Sequence, residues 1–466
     1  MSTGLTSALD WESGLRLIKE RFGPNATKNN DILDHHAHDE SFHLPAKPDL
    51  VVYAESTMDV ADCVRLCAQY RIPVIPFGVG TSLEGHVNAV YGGVSLDMSR
   101  MNRLLRLSVE DLDCTVEAGM LRQQLAKELV PHGLFFPVDP GANATIGGMA
   151  STGASGTTTV RYGAMRELVM SMRVVLPDGS IVETGRRSRK SSAGYDLTHL
   201  FLGSEGTLGV ITELTVRLFG IPEAAAAATV QFNDLHSAVN AVISIIQLGI
   251  GVARIELLDD SAVGAVNAYS GLELPNQHML LLEFHGSTEV VNHESQVAGA
   301  VLAEHGGTNF TSTTDQAERG ALWRARHDAA WAIRAQRAGA QILVTDVCVP
   351  ISRLADCIVA TRKDIEESGI YGPIVGHVGD GNFHVVAVVN PEDVEEMQRV
   401  ERFNERLISR SIEMGGTCTG EHGVGMGKIE YLTLELGPEA VSLMRTIKAS
   451  LDPLGIMNPG KVISSD

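Results

Sequence analysis

The spacing of apolar positions changes several times along the chain and divides it into segments. Over residues 9–22 apolar side chains recur at helical spacing, which predicts one amphipathic helix. The next stretch, DHHAHDESFH, sets His35, His36, His38 and His43 among acids without the spacing of a metal site and reads as a solvated loop. From about Pro48 short apolar runs alternate with helical periods: LVVYAE, a helix over Thr57–Tyr70, VIPFG, GVSLDM, CTVEAG and a helix through LRQQLAKELV. Residues 168–184 read as a hairpin turning at Asp178-Gly179, and the strand pattern of 207–219 follows. Pro222 and the alanine run 224–228 are expected to mark a boundary. Beyond it, helical stretches (DLHSAVNAVISIIQLG, SRLADCIVATRKDIEE) alternate with strands (MLLLEFHG, HVVAVVN), an order that suits helices on one face of an antiparallel sheet. The expected organisation is α+β: a helical segment 1–47, a domain 48–221, a second domain 222–415, and a segment 416–466, with a helix around LMRTIKASLDP, that returns to the first domain.

Composition narrows the function classes. A chain of 466 residues with 44% apolar content is long enough for two or three packed domains. No apolar run approaches the roughly 20 residues of a membrane span, and MSTGLTSALDWESGLRL has neither the basic-then-apolar start of a secretory signal nor an Arg-rich, acid-poor presequence. A net charge of −20 repels a phosphate backbone, so no nucleic-acid partner is expected. The six cysteines are scattered, and Cys63 and Cys67 have the spacing of one helix face, so reduced thiols and a cytoplasmic location are expected. There is no CxxCH and no cysteine cluster for haem or iron–sulfur ligation.

The candidate chemistry lies in four glycine-rich segments. In GHVGDGNFH, residues 376–384, His377 and His384 flank the turn-forming run Val378-Gly379-Asp380-Gly381-Asn382, and two strands folding back there would bring both imidazoles together. About forty residues later GGTCTGEHGVG places Glu421 beside His422 among glycines. Two imidazoles and a carboxylate suit one divalent metal, zinc or manganese, with open positions, leaving His422 to move a proton. The segments 76–87 and 139–163 free successive backbone N–H groups with interleaved hydroxyls, a concavity suited to the pyrophosphate of a dinucleotide. Neither is a GxGxxG opening a helix nor a GxxxxGK[ST], so neither a Rossmann site nor a P-loop is supported.

Taken in order, PFGVGTSLEG, DPGANATIGGMASTGASG, VRYG, GYDLTHLFLGSEGTLGVIT, GHVGDGNFH, TGEHGVGMGK and LDPLGIMNPGK resemble the FAD-linked D-2-hydroxy acid dehydrogenases of the vanillyl-alcohol oxidase superfamily. The resemblance runs from about residue 40 to residue 462, and TDVCVPISRL with GTCTGEHGVGMGK looks nearest to the D-lactate dehydrogenase branch, beside glycolate oxidase flavin subunits and D-2-hydroxyglutarate dehydrogenases. It implies a two-subdomain FAD-binding domain of the vanillyl-alcohol oxidase (PCMH) type and an antiparallel-sheet substrate, or cap, domain. It also implies non-covalent FAD, although His86 stands near a position where some superfamily members bond flavin. The diphosphate would lie against Pro76, Gly78, Val79, Gly80, Thr81, Ser82 and Gly85. The second loop, with Pro140, Gly141, Gly147, Gly148, Thr152, Gly153, Ser155 and Gly156, would wrap the rest. Tyr162, Gly163, Gly206 and Ile211 match further cofactor positions, and Asn458 would approach the isoalloxazine.

The implied reaction is oxidation of a small 2-hydroxy acid. The acid would chelate the metal on His377, His384 and Glu421, His422 would act as base, and hydride would pass to flavin. Arg326 matches the position of a guanidinium that grips the substrate carboxylate. Where the hydroxyglutarate branch holds a second carboxylate, this chain has Ala330, Val344 and Val386, against which a distal carboxylate would lose its water at a cost of several kcal/mol. D-lactate or a related short D-acid is therefore expected, with glycolate or D-2-hydroxyglutarate as the alternatives within the family and a flavin-free metallohydrolase as the alternative of another class. An external acceptor, whether quinone, cytochrome or electron-transfer protein, would take the electrons, and a homodimer is the assembly considered.

Overall fold

The computed structural model describes residues 8–464; the opening of the N-terminal stretch lies outside the described residues. The chain forms two compact units, one from residues 1–154, 164–220 and 421–466, the other from 155–163 and 221–420. The nine residues 155–163, read from sequence as part of the first glycine-rich domain, thus belong to the second unit.

The first unit holds two main sheets and a two-stranded pairing of Leu134–Phe135 with Phe219–Gly220. Leu50–Tyr53, Val94–Asp97 and Val74–Phe77 run parallel, in that order, with Ala26–Thr27 antiparallel at the edge. Their apolar runs are buried on both faces, as parallel strands require. The crossover helix Thr57–Tyr70 starts where the Ser56 side chain accepts from Asp59 N–H, and ends at Arg71 in the left-handed region. Its face of Val60, Val64 and Cys67 is fully buried, worth about 1.5–3 kcal/mol for each valine. The second sheet is antiparallel, in the order Leu104–Ser108, Asp113–Glu117, Val210–Arg217, Val169–Val175, Ile181–Glu183. The expected hairpin is there, with Val175 opposite Ile181 and Gly179 at φ +79°. One core joins both sheets to Ile456 and Met457 of the C-terminal segment. The histidine-rich stretch departs from its reading as a solvated loop: His36 and Asp39 are buried, and His36 Nε2 lies 2.9 Å from an Asp97 carboxylate oxygen.

The second unit is built on an eight-stranded sheet, ordered Thr308–Thr313, Ala224–Phe232, His278–Gly286, Val252–Leu258, Ile374–Gly376, Asn382–Val389, Gln341–Val344, with Val347–Cys348 also on Asn382–Val389. All of its pairings are antiparallel. The boundary expected at Pro222 falls at residue 221, where this unit opens, and the alanine run itself begins the strand Ala224–Phe232, which pairs with His278–Gly286 over nine residues. Alanine is a weak strand former, but its small side chain fits between two closely packed neighbours. Helices cover both faces rather than one. Leu258, Met279, Leu281, Val375, Val386 and Val388 pack on helices Asp260–Ser270, Gln316–His327 and Ala329–Arg334, while Leu280, Leu282 and Phe284, of opposite parity, are equally buried. Continuous apolar runs such as MLLLEF are the sign of strands covered on both sides.

Candidate functional site

The first unit gathers most of the residues expected to hold the dinucleotide. The loop after strand Val74–Phe77 turns at Gly80 and Gly85, both at positive φ. A Cβ on Gly78 would stand 2.6 Å from Thr145 Oγ1, and one on Gly206 would stand 2.9 Å from Pro76, so the two glycine-rich segments and the turn before strand Val210–Arg217 meet with no room for side chains. Gly203 N–H donates to Ala150 O and Glu205 N–H to Ser151 O, at 2.9 and 2.8 Å, joining the helix Ile146–Thr152 to the same place. Asn458 N–H donates to Val74 O, and its side-chain amide donates to the carbonyls of His86 and Glu205 at 3.1 and 2.7 Å. Asn458 Oδ1 is buried and accepts no hydrogen bond from the protein. A cofactor N–H or O–H would satisfy it. The cradle therefore fits a nucleotide cofactor. Ser155, Gly156, Tyr162 and Gly163 do not join it in the first unit; the short helix Thr159–Tyr162 packs on strand Val252–Leu258 of the second.

Beneath this cradle lies a buried charge network that sequence reading missed. Glu205, at φ +52°, accepts from the N–H groups of Val424 and Gly425 at 2.7 and 2.8 Å and stands 3.2 Å from His86 Nε2. Asp39 accepts from His86 N–H and the Ser82 hydroxyl, and its carboxylate is 3.8 Å from His86 Nδ1. Burial opposes a charge on His86, yet Glu205 and Asp39 outweigh it and raise the imidazole to about 10. Burial likewise opposes the charge on Asp39, but hydrogen bonds from His86, Ser41 and Ser82 lower it to about 2. Burial pushes Lys461 down to about 8, with the two carboxylates acting against that. The left-handed backbone of a non-glycine residue was the one local sign of a special role for Glu205.

In the second unit, the hairpin of Ile374–Gly376 and Asn382–Val389 does what its sequence predicts. Asp380 N–H closes the turn on His377 O, Gly381 sits at φ +84° where a Cβ would strike Val349 O, and the His377 and His384 rings stand 5.5 Å apart, edge to face. Each ring is held through Nδ1: His377 by a Glu256 carboxylate oxygen at 2.7 Å, His384 by Thr345 O at 2.9 Å. Imidazoles that ligate metals are oriented in this way, by a carboxylate or a carbonyl on the other ring nitrogen. The donor set therefore fits a borderline divalent metal, taken at Nε2. Asp346 accepts from Asn382 Nδ2 and Thr419 Oγ1, both at 2.8 Å. Gly420 packs directly on Asn382.

These groups occupy the polar end of a sheet face whose other end is apolar. Glu256 is fully buried and carries Arg326 Nη2 at 2.6 Å. Arg326 is also buried, and its Nε has no protein partner. One step further along, Glu283 bonds His285 Nε2 at 2.8 Å, with Arg254 and Arg319 at 3.7 and 3.6 Å, and His285 Nδ1 meets the Tyr162 hydroxyl at 2.8 Å. Val344 and Val386 sit directly opposite each other on adjacent strands, at the edge of the apolar cluster of this face. The dipeptide Glu421-His422 opens the last segment of the first unit. It is half-buried, and the residues after it are fixed by Glu205.

Family comparison accounts for both units. The model described as "FAD linked oxidases, C-terminal domain" matches residues 221–462, and that described as "FAD binding domain" matches residues 48–185. The chain belongs to the FAD-linked oxidases. Among curated relatives of this family, a "Probable D-lactate dehydrogenase, mitochondrial" of Danio rerio is 49% identical over 93% of this chain and 88% of its own. A "D-lactate dehydrogenase [cytochrome], mitochondrial" of Arabidopsis thaliana is 44% identical over 91% and 75%. Among solved structures, p-cresol methylhydroxylase with substrate bound superposes with a TM-score of 0.80 at 17% identity, covering 98% of this chain and 97% of that one, which shows the shared fold. Among the described residues no helix is long and apolar enough to cross a membrane.

Proposed function

We propose that this FAD-linked oxidoreductase oxidises D-lactate, or a related short D-2-hydroxy acid, to the 2-keto acid. The observation that carries this reading is the mixed face of the second unit, where the buried Arg326 and the paired imidazoles of His377 and His384 adjoin a wall containing Val344 and Val386. One carboxylate and one hydroxyl have partners there, and Val344 and Val386 offer none to a second carboxylate. Two relatives named as D-lactate dehydrogenases, 44% and 49% identical, support the same choice.

FAD would be held by the cradle of Pro76, Gly78, Val79, Gly80, Thr81, Ser82, Gly85, Pro140, Gly141, Gly147, Gly148, Thr152, Gly153, Gly206, Ile211 and Asn458, with Ser155, Gly156, Tyr162 and Gly163 added from the second unit. A zinc or manganese ion would be held by His377, His384 and Glu421. Bound there, FAD would supply a hydride acceptor, and the metal a Lewis acid that lowers the pKa of the substrate hydroxyl. Arg326 grips the substrate carboxylate, because a planar guanidinium matches it in two-pronged geometry. His422 takes the hydroxyl proton as the α-hydrogen leaves as hydride. Support for placing Glu421 with the two histidines comes from Thr419 and Gly420, the two residues before it, which anchor the chain to Asp346 and Asn382.

The electrons then pass to an external acceptor, and one relative carries the word cytochrome in its name. The thiol pattern supports a cytoplasmic location, whereas both relatives are named mitochondrial, and fractionation with an antibody would decide between them. Turnover measured with a redox dye should favour D-lactate over L-lactate, glycolate and D-2-hydroxyglutarate, and should fall on chelation while FAD stays bound. Equal rates with both lactate enantiomers would overturn the assignment.

A further inference from the structure

We infer that Glu256 is a positioning residue that couples the metal edge of the site to its carboxylate grip, and that its negative charge is needed to hold the metal. This rests on the reading of His377 and His384 as ligands. Glu256 sits within strand Val252–Leu258, opposite Leu281, with no exposed surface. A carboxylate buried in a sheet face is costly unless each oxygen has a partner. Here the two partners come from different elements. Oε1 meets Nδ1 of His377, in the turn after Ile374–Gly376, and Oε2 meets Nη2 of Arg326, on helix Gln316–His327.

The two contacts have separate consequences. With a carboxylate as acceptor, the His377 proton must reside on Nδ1, which leaves the lone pair on Nε2 and makes that nitrogen more basic. Arg326 is anchored through one terminal nitrogen while its Nε remains a buried donor without a protein partner, so the guanidinium is held in place with a donor edge to offer an anionic group. One buried carboxylate thereby sets the tautomer of a ligand and the orientation of the clamp. Neither contact was visible in the sequence, where Glu256 lies in the unremarkable run RIELL.

The test compares FAD-loaded wild type, Glu256→Gln, and the double variant Glu256→Gln/Arg326→Met, each titrated with zinc and manganese ions, with bound metal counted by mass spectrometry. Glutamine should weaken metal binding by roughly 10- to 100-fold and raise KM for D-lactate, with the FAD-to-protein ratio unchanged. If Glu256 acts through His377, metal binding stays weak in the double variant. Recovery there would show that Glu256 only neutralises the buried guanidinium, which overturns the inference, as would unchanged metal affinity in the single variant. The double variant, which leaves no uncompensated charge, keeps the test open should the single variant fold poorly. A wild-type enzyme that binds neither ion, yet turns over, would instead overturn the metal reading itself.

Discussion

Replacing Glu205 with glutamine removes one charge from the buried network under the FAD cradle and should have an effect that depends on pH. In the folded protein His86 keeps its proton to about 10, against an ordinary value of 6.5, through Glu205 and Asp39 together. At about 1.4 kcal/mol per pH unit, the protonation of His86, net of its burial penalty, contributes about 4 kcal/mol at pH 7. Glu205, the nearer carboxylate at 3.2 Å, should account for more than half, and glutamine can still accept one of the N–H groups of Val424 and Gly425. A loss of about 3 kcal/mol is expected at pH 7, in the range for breaking a buried pair. The sign follows from the direction of the shift. A folded value above the unfolded one stabilises fully below pH 6.5 and loses that contribution as pH rises through 10. The gap between wild type and Glu205→Gln should therefore be widest near pH 6 and nearly closed near pH 10. Lys461, which burial lowers to about 8 against the pull of Glu205 and Asp39, is lowered further when Glu205 loses its charge, which widens the gap at low pH in the same direction. Urea denaturation followed by flavin release, at matched FAD concentration from pH 6 to 10, measures the gap. A gap of the same size at both ends would refute a charge effect and assign the loss to the hydrogen bonds of the 424–425 backbone.

Three further outcomes are expected. His422→Gln should cut turnover by roughly 10²- to 10⁴-fold and leave the visible flavin spectrum in place, checked by steady-state rates beside FAD content. Arg326→Lys should raise KM for D-lactate by at least about tenfold, because an ammonium cannot replace a two-pronged guanidinium anchored on Glu256; a kinetic comparison of KM with kcat checks it. Gly425→Ala should destabilise the protein by at least about 1–2 kcal/mol, since the residue sits at φ +51° and a Cβ would strike Glu84 O; a thermal melt checks it.

Much of the fold was legible because its signals are local. The Thr57–Tyr70 helix has a serine cap and an apolar face, and the Asp178-Gly179 hairpin has its turn residues. The pairing of His377 with His384 was legible for the same reason, being set by one short turn. What stayed hidden depends on contacts distant in sequence. His36 was read as solvated because Asp97, its partner, lies 61 residues away. Glu205 meets Val424 across 219 residues, and Glu256 meets His377 across 121. The boundary expected at Pro222 falls where the second unit opens at residue 221, but the strand that the alanine run begins is held by two neighbours distant in sequence, so it was not legible locally. The assignment of residues 155–163 to the second unit also depends on distant contacts, through Arg161 on Gly251 O and Tyr162 on His285.

Anaerobic mixing of the FAD-loaded protein, supplied with zinc or manganese, against a panel of D- and L-2-hydroxy acids tests the proposed chemistry most directly. D-lactate is expected to bleach the visible flavin band within a single turnover while L-lactate leaves it unchanged. A flavin that stays oxidised with every D-acid would contradict the assignment.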